Sequence, residues 1–209
     1  MNNKPFNKFT IITTLYVVLL IISNLMATKM IDIWGMILPA AVIAYPLCFM
    51  CGDVLTEVWG YKTARKVIWL GFIMNLLLVI WTYIGVYLPY PSFWQGQEAY
   101  SFIFTAVPRI TLASFVGYIF GELSNSWSLE WIKKFTGEKL LFVRTIGSSV
   151  IGQVLDTILF FTIAFYGTMP NNVLITMMIT QYLFKVCCEA LGGTPLAYGL
   201  ISWAKREKV

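Results

Sequence analysis

Long uncharged stretches constrain this chain more than any short motif does. Phe9–Ala27, Ile33–Gly52 and Val67–Leu88 contain no Asp, Glu, Lys or Arg. The hydrocarbon core of a bilayer is about 30 Å thick, and a helix needs roughly 20 mostly apolar residues to cross it. Three further stretches, 102–123, 146–167 and 173–203, are also long enough, although each carries charge. The expected fold is an all-α integral membrane protein with six transmembrane helices, and residues 1–209 are expected to form one transmembrane domain. With 58% hydrophobic and 12% charged residues, the chain is too apolar for a water-surrounded domain. A length of 209 residues holds six spans and short loops and leaves no room for a separate aqueous catalytic domain, so no enzyme is expected.

The charges orient the spans. Every Lys and Arg except Lys29, Arg109 and Lys185 sits in one of four segments. Lys4 and Lys8 precede the first span, Lys62, Arg65 and Lys66 separate the second and third, Lys133, Lys134, Lys139 and Arg144 separate the fourth and fifth, and Lys205, Arg206 and Lys208 follow the sixth. The gaps Tyr90–Ser101 and Gly167–Asn172 contain neither residue. Positive flanks stay on the cytoplasmic side, which predicts both termini inside and a multi-pass protein of the cytoplasmic membrane. The net charge of +5 is thereby read as a topology signal, and nucleic acid is not an expected partner. The polar first eight residues run into a stretch of spanning length without a small-residue cleavage site, so a removed signal peptide is not expected.

Two connections have more than one reading. Leu88–Ser101 carries Pro89, Pro91, Trp94, Gln95 and Gln97, with Tyr87, Tyr90, Phe93 and Trp94 suited to an interfacial belt. It reads as a turn resting on the headgroups or as an outer lid. Ser124–Thr145 interleaves Leu129, Trp131, Ile132 and Phe135 with Glu130, Lys133 and Lys134, which predicts an amphipathic interfacial helix.

The chain has four Cys and no His, which weakens proposals of a zinc enzyme or a His relay. No metal or other cofactor is expected. Cys48 and Cys51 form a CxxC on neighbouring helical turns. Such a pair could serve thiol redox chemistry, but it reads more simply as two small packing residues, as do Cys187 and Cys188. No phosphate-binding glycine loop precedes a Lys-Ser or Lys-Thr pair, so no nucleotide hydrolysis is expected.

The polar residues inside the apolar stretches point to a site. Ser149, Gln153, Asp156, Thr157 and Phe160 recur at three- and four-residue spacing and share one helical face. Gln181, Lys185 and Glu189 form a second stripe at four-residue steps. Arg109 follows Pro108, which is placed to kink or open the fourth span, and Asn24 lies near the outer end of the first. At about 1.5 Å per residue, Asp156 and Lys185 lie some 15 Å and 18 Å along antiparallel spans, at similar depth. Ionised groups there are costly unless paired, which predicts that Lys185 is neutralised by Asp156 or Glu189. Such a pair either fastens helices or lines a pocket for a polar solute. Carboxylates and amides together suit a planar heterocycle with adjacent donors and acceptors, such as a guanine-like edge.

Several runs resemble the queuosine precursor transporter family, six-span membrane proteins of the vitamin-uptake type. These are Ile22-Ser23-Asn24-Leu25, the run from Gly52-Asp53 through Leu55-Thr56-Glu57 to Gly60-Tyr61, and Ala64-Arg65. Arg109 with Ala113-Ser114, Arg144, Gly147-Ser148-Ser149, Gln153, Asp156-Thr157, Phe160, Lys185, Glu189 and Pro195 extend the resemblance over nearly the whole chain. The resemblance implies import of 7-cyano-7-deazaguanine or 7-aminomethyl-7-deazaguanine, with queuine itself a third candidate, for tRNA modification. Asn24, Arg109, Gln153, Asp156, Lys185 and Glu189 are the candidate substrate-binding residues. Asp53 and Glu57, four apart at the inner end of the second span, are either a surface cap balanced by Lys62, Arg65 and Lys66 or an inner gate or coupling site, and Glu122 invites the same two readings. The expected mode is a solitary secondary carrier or facilitator. The alternative is the substrate-binding subunit of an energy-coupled importer with separate ATPase and scaffold chains. The bulky Leu15, Tyr16, Leu19 and Ile22 on the first span favour the former. Homo-oligomerisation is left open, and a membrane thiol redox protein is the third class.

Overall fold

The computed structural model describes residues 7–136, 141–188 and 194–205. Helix α1 is Lys8–Met26, followed by strands β1 (Met30–Ile33) and β2 (Met36–Pro39), a 3-10 turn Ala40–Val42, and helices α2 (Tyr45–Trp59) and α3 (Tyr61–Tyr87). Then come α4 (Gln97–Thr136), α5 (Leu141–Phe165), α6 (Asn171–Cys188) and α7 (Thr194–Lys205). Helix α1 is rich in Ile, Val and Thr, which have only middling helix propensity in water. In hydrocarbon the backbone must satisfy its own hydrogen bonds, and that requirement overrides side-chain preference. Asn7 caps α1, its side chain accepting from the Phe9 N–H at 3.0 Å.

The protein is an all-α membrane protein apart from one hairpin. Among the described residues, three helical segments are long and apolar enough to cross a bilayer: Lys8–Met26, Tyr61–Tyr87 and Gln97–Asn125. Val150–Phe165 is a shorter apolar helix. One expected span departs from a single rod. Ile33–Gly52 is not one helix, because its first part turns back as the β1–β2 hairpin and α2 begins only at Tyr45. The turn is formed by Trp34 (φ +55°) and Gly35 (φ +80°), with the Gly35 N–H donating to Asp32 Oδ1 at 2.7 Å. Two successive positive φ values suit a tight hairpin, and Pro39 pushes the preceding residue toward extended backbone. Pro46 then lies in the first turn of α2, where a proline is tolerated. Of the expected span 173–203, the described residues form α6 as far as Cys188 and α7 from Thr194.

Helix α4 bears on two local expectations. It runs unbroken through Pro108, so of the two effects expected of this proline, a kink or an opening, the opening does not occur. The lost N–H is a single bond, and such losses are tolerated in membrane helices when neighbours compensate. The helix also continues to Thr136, so the first half of the expected interfacial segment Ser124–Thr145 extends α4 instead. At its start, Gln97 Nε2 donates to the Val86 carbonyl at 2.8 Å and to Ser101 Oγ at 3.2 Å, tying the Leu88–Ser101 connection to the end of α3.

The described residues group into two compact units. The first draws on α1, α2, α3, the beginning of α4, and α7. Its core joins Ile12, Tyr16 and Leu20 of α1 to Cys48, Cys51, Val54, Leu55 and Val58 of α2, with Ala64, Val67 and Ala204. Steps of three and four along α2 put those five residues on one face. At Gly71 of α3, a β-carbon would come within 2.9 Å of Leu20 Cδ2, so the missing side chain lets α1 and α3 approach. Gly60, at φ +84°, ends α2 and starts α3 in a backbone conformation that favours glycine. The second unit holds the hairpin tip 32–38, α4 from Pro108, α5, and α6 as far as Val186.

Candidate functional site

In the second unit, α4 and α5 cross closely because glycines leave room. A β-carbon on Gly152 would lie 2.8 Å from the Gly121 carbonyl oxygen, and one on Gly121 would lie 2.9 Å from Asp156 Cβ. One on Gly117 would lie 2.6 Å from Asp156 Oδ1. Gly117 and Gly121 are one turn apart, the small-xxx-small arrangement that brings membrane helices together. The crossing seats the Asp156 carboxylate directly over the α4 backbone at Gly117.

Lys185 of α6 completes the centre. Its Nζ donates to Asp156 Oδ2 at 2.6 Å, and the two side chains are only 11% and 13% exposed. Asp156, one of the two partners expected for Lys185, is bonded to it. Glu189 lies outside the described residues, and so does the side chain of Glu122. Gln153 is on α5, one turn before Asp156 and Thr157. Nearby buried oxygens lack partners: among the described residues Thr157 Oγ1, Gln181 Oε1 and Asn125 Oδ1 make no hydrogen bond. A paired charge beside unmet acceptors is chemically an incomplete polar site, since buried polar groups are normally satisfied.

Arg109 is placed elsewhere. Its Nε and one terminal nitrogen donate to the carbonyls of Ile163 and Tyr166, both at 2.5 Å, at the end of α5. The last carbonyls of a helix lack internal partners and carry the negative end of its dipole, so a guanidinium fits there. Arg109 is eight residues from Gly117, about 12 Å along α4, and so lies roughly two turns from the level of Asp156. This terminal-capping role was not readable from spacing.

In the first unit, Asn24 is 5% exposed and its Nδ2 donates to Asn75 Oδ1 at 2.8 Å, while Asn75 Nδ2 donates to the Gly71 carbonyl at 3.0 Å. Asn75 is fully buried and escaped the sequence reading. The signal was present: it is the lone amide in the uncharged run Val67–Leu88. The Gly117–Gly121 pair was also legible but not used. Asp53 and Glu57 are exposed on α2. Glu57 Oε1 accepts from Lys205 Nζ of α7 at 2.8 Å, so its basic partner is the C-terminal helix and not the expected Lys62–Lys66 loop. The Lys205 ammonium holds the Glu57 carboxyl below the usual carboxylate range, first through the hydrogen bond and then through its charge. Lys8 Nζ donates to the Trp203 carbonyl at 2.8 Å, tying α1 to α7 at the same end. Cys48 and Cys51 are buried in the core of this unit, with Cys48 Sγ 3.7 Å from the Tyr16 carbonyl, which fits packing residues. Among the described residues no group of His, Cys, Asp and Glu could hold a metal ion.

Comparison with known proteins gives the family. Residues 39–200 match the family model described as "Putative vitamin uptake transporter". The chain is 32% identical over 178 residues, 84% of its length and 77% of the relative's, to the "Probable queuosine precursor transporter" of Bacillus subtilis. It is 26% identical over 183 residues, 86% of its length and 79% of the relative's, to the "Queuosine precursor transporter" of Escherichia coli. It is 28% identical over 162 residues, 76% of its length and 66% of the relative's, to the "Probable queuosine precursor transporter" of Haemophilus influenzae. No solved structure matches the chain.

Proposed function

Because the chain belongs to the vitamin uptake transporter family, we propose that it imports a queuosine precursor, 7-cyano-7-deazaguanine or 7-aminomethyl-7-deazaguanine, across the cytoplasmic membrane. The observation that carries the reading is the Lys185–Asp156 pair, nearly buried and flanked by acceptors without donors. A pair kept only to fasten helices is more simply replaced by Ser, Thr or Gly contacts. A guanine-like edge brings N–H donors to such acceptors and a carbonyl to a Lys ammonium. Asp156 and Lys185, with Gln153 and Glu189, form the centre of the site on this reading. Arg109 and Asn24 contribute by holding α5 and α1 in position, and residues 1–209 act as one transport domain. Asp53 and Glu57 serve in gating or coupling, to which the Glu57–Lys205 contact belongs, and Glu122 has a gating or coupling role of its own.

The chain works as a solitary carrier. Support comes from the outer face of α1, where Ile11, Leu15, Val18 and Ile22 are bulky and exposed, unlike a small-residue docking stripe. Both termini face the cytoplasm on the strength of the basic flanks. The test is uptake. Cells unable to make queuosine precursors, expressing this chain and given each base outside, recover queuosine in tRNA. Purified chain alone in liposomes takes up the base without ATP. A requirement for ATP and further chains would defeat solitary action, and no recovery with any base would defeat the reading itself.

A further inference from the structure

We propose that Gln181 is the specificity-determining residue of the site and that its side-chain carbonyl receives an N–H from the edge of the transported base. The inference rests on the transport reading above and names the group that reads the substrate. Helices α5 and α6 are consecutive and joined by a short turn, in which Thr168 N–H and Oγ1 both bond the Phe165 carbonyl, at 3.0 Å and 2.7 Å. Counting from that turn, Asp156 lies nine residues before the end of α5 and Gln181 ten residues after the start of α6. These correspond to depths of about 14 Å and 15 Å, so Gln181 is level with Asp156. Lys185 is one turn further and on the same face of α6 as Gln181. Side chains on a helix lean toward its N-terminus, which carries the Lys185 ammonium back to Asp156. The stripe that holds Gln181 is therefore the one turned to α5.

Gln181 is 5% exposed, and its Oε1 has no hydrogen-bond partner among the described residues. Thr157, beside Asp156 and 2% exposed, has a hydroxyl in the same condition. An acceptor kept dry and unmet weakens a fold, so its presence beside a charged pair is explained by a donor that arrives with the ligand. Asp156 gives one carboxylate oxygen to Lys185, and the other lies against Gly117. Gln181 thus adds an acceptor at that level for a ligand that presents adjacent N–H groups. The ligand class is a planar heterocycle with an amino group next to a ring N–H.

The test compares two bases on the purified protein in lipid nanodiscs: 7-cyano-7-deazaguanine and its counterpart lacking the exocyclic amine. Wild type prefers the first by about tenfold or more, because a site built to bond an N–H rejects an analogue without it. Gln181→Met, with Gln181→Leu in parallel, lowers affinity for the amino base about 10- to 100-fold and brings the two bases within about threefold of each other. Neither variant lowers the melting temperature of the ligand-free protein, since the acceptor it removes was unmet. An unchanged preference in both variants overturns the inference and leaves the transport reading standing. So does a marked loss of ligand-free stability, which would assign Gln181 to the fold. If wild type binds neither of these bases nor 7-aminomethyl-7-deazaguanine, the transport reading falls and takes this inference with it.

Discussion

At the scale of single residues, two largely buried polar contacts among the described residues differ in kind. Lys185 and Asp156 are ions, 2.6 Å apart and nearly buried. Removing one leaves the other charged in a low-dielectric setting, which typically costs about 3–5 kcal/mol. Lys185→Met is therefore expected to abolish uptake, and Asp156→Asn to reduce it strongly. The double variant should be more stable than Lys185→Met alone. Melting curves together with liposome uptake check this, and normal transport by Lys185→Met would remove the pair from the site. Asn24 and Asn75 are neutral, and their contact is a helix-to-helix fastening in the first unit. Asn24→Ala strands the Asn75 acceptor and should cost about 1–3 kcal/mol, while replacing both with Leu should cost less than the two single changes summed. A double-mutant cycle on thermal unfolding reads this out, and strict additivity would mean the two amides do not interact.

At the scale of elements, close approach between helices decides where the charges sit. Gly117→Ala places a methyl within 2.6 Å of Asp156 Oδ1, so the carboxylate must move; Gly152→Ala meets the Gly121 carbonyl, and the backbones must part. Overpacking of this kind commonly costs about 1–3 kcal/mol. Uptake should fall in both variants, with the larger stability loss at Gly152. Gly199→Ala on α7, with nothing within 4 Å of its added carbon, should be silent in the same assays. Much of this scale was legible beforehand. The uncharged runs gave α1 almost to its ends and α3 without its first six residues, and the helical rise brought Asp156 and Lys185 to similar depth. What escaped were features that depend on partners distant in the chain. The carbonyls that hold Arg109 belong to residues more than fifty positions away. The hairpin at Trp34–Gly35 escaped for a different reason: its residues are as apolar as a span, and hydropathy does not register φ. The length rule for helices therefore overran a strand-forming segment.

At the scale of the whole molecule, the predictions concern sidedness and the joining of chain ends. A Thr63→Cys variant in a Cys-free background should resist an impermeant thiol reagent on intact cells and react once they are opened, because Lys62, Arg65 and Lys66 flank it. Labelling from outside would refute the orientation. In the first unit, α7 is tied to α2 through Lys205 and Glu57 beyond the apolar stretch that ends at Gly52. Lys205 lowers the Glu57 carboxyl below its ordinary value near 4.3. The contribution is thus present above that ordinary value and is lost as pH falls through the lower, folded one. Lys205→Met should melt slightly below wild type at neutral pH, and the gap should close in acid; a gap that persists at pH 2 would show that the contact does not depend on the carboxylate. The ion pair of the second unit has a consequence of another kind. Opposite charges 2.6 Å apart sum to zero, and of the two proposed bases the cyano base is neutral at physiological pH while the aminomethyl base carries a protonated amine. One elementary charge moved through 100 mV is worth about 2.3 kcal/mol. Loading this pair with the cyano base adds no charge for that voltage to act on, whereas the aminomethyl base brings one, so a potential negative inside pulls directly on the second base and not on the first.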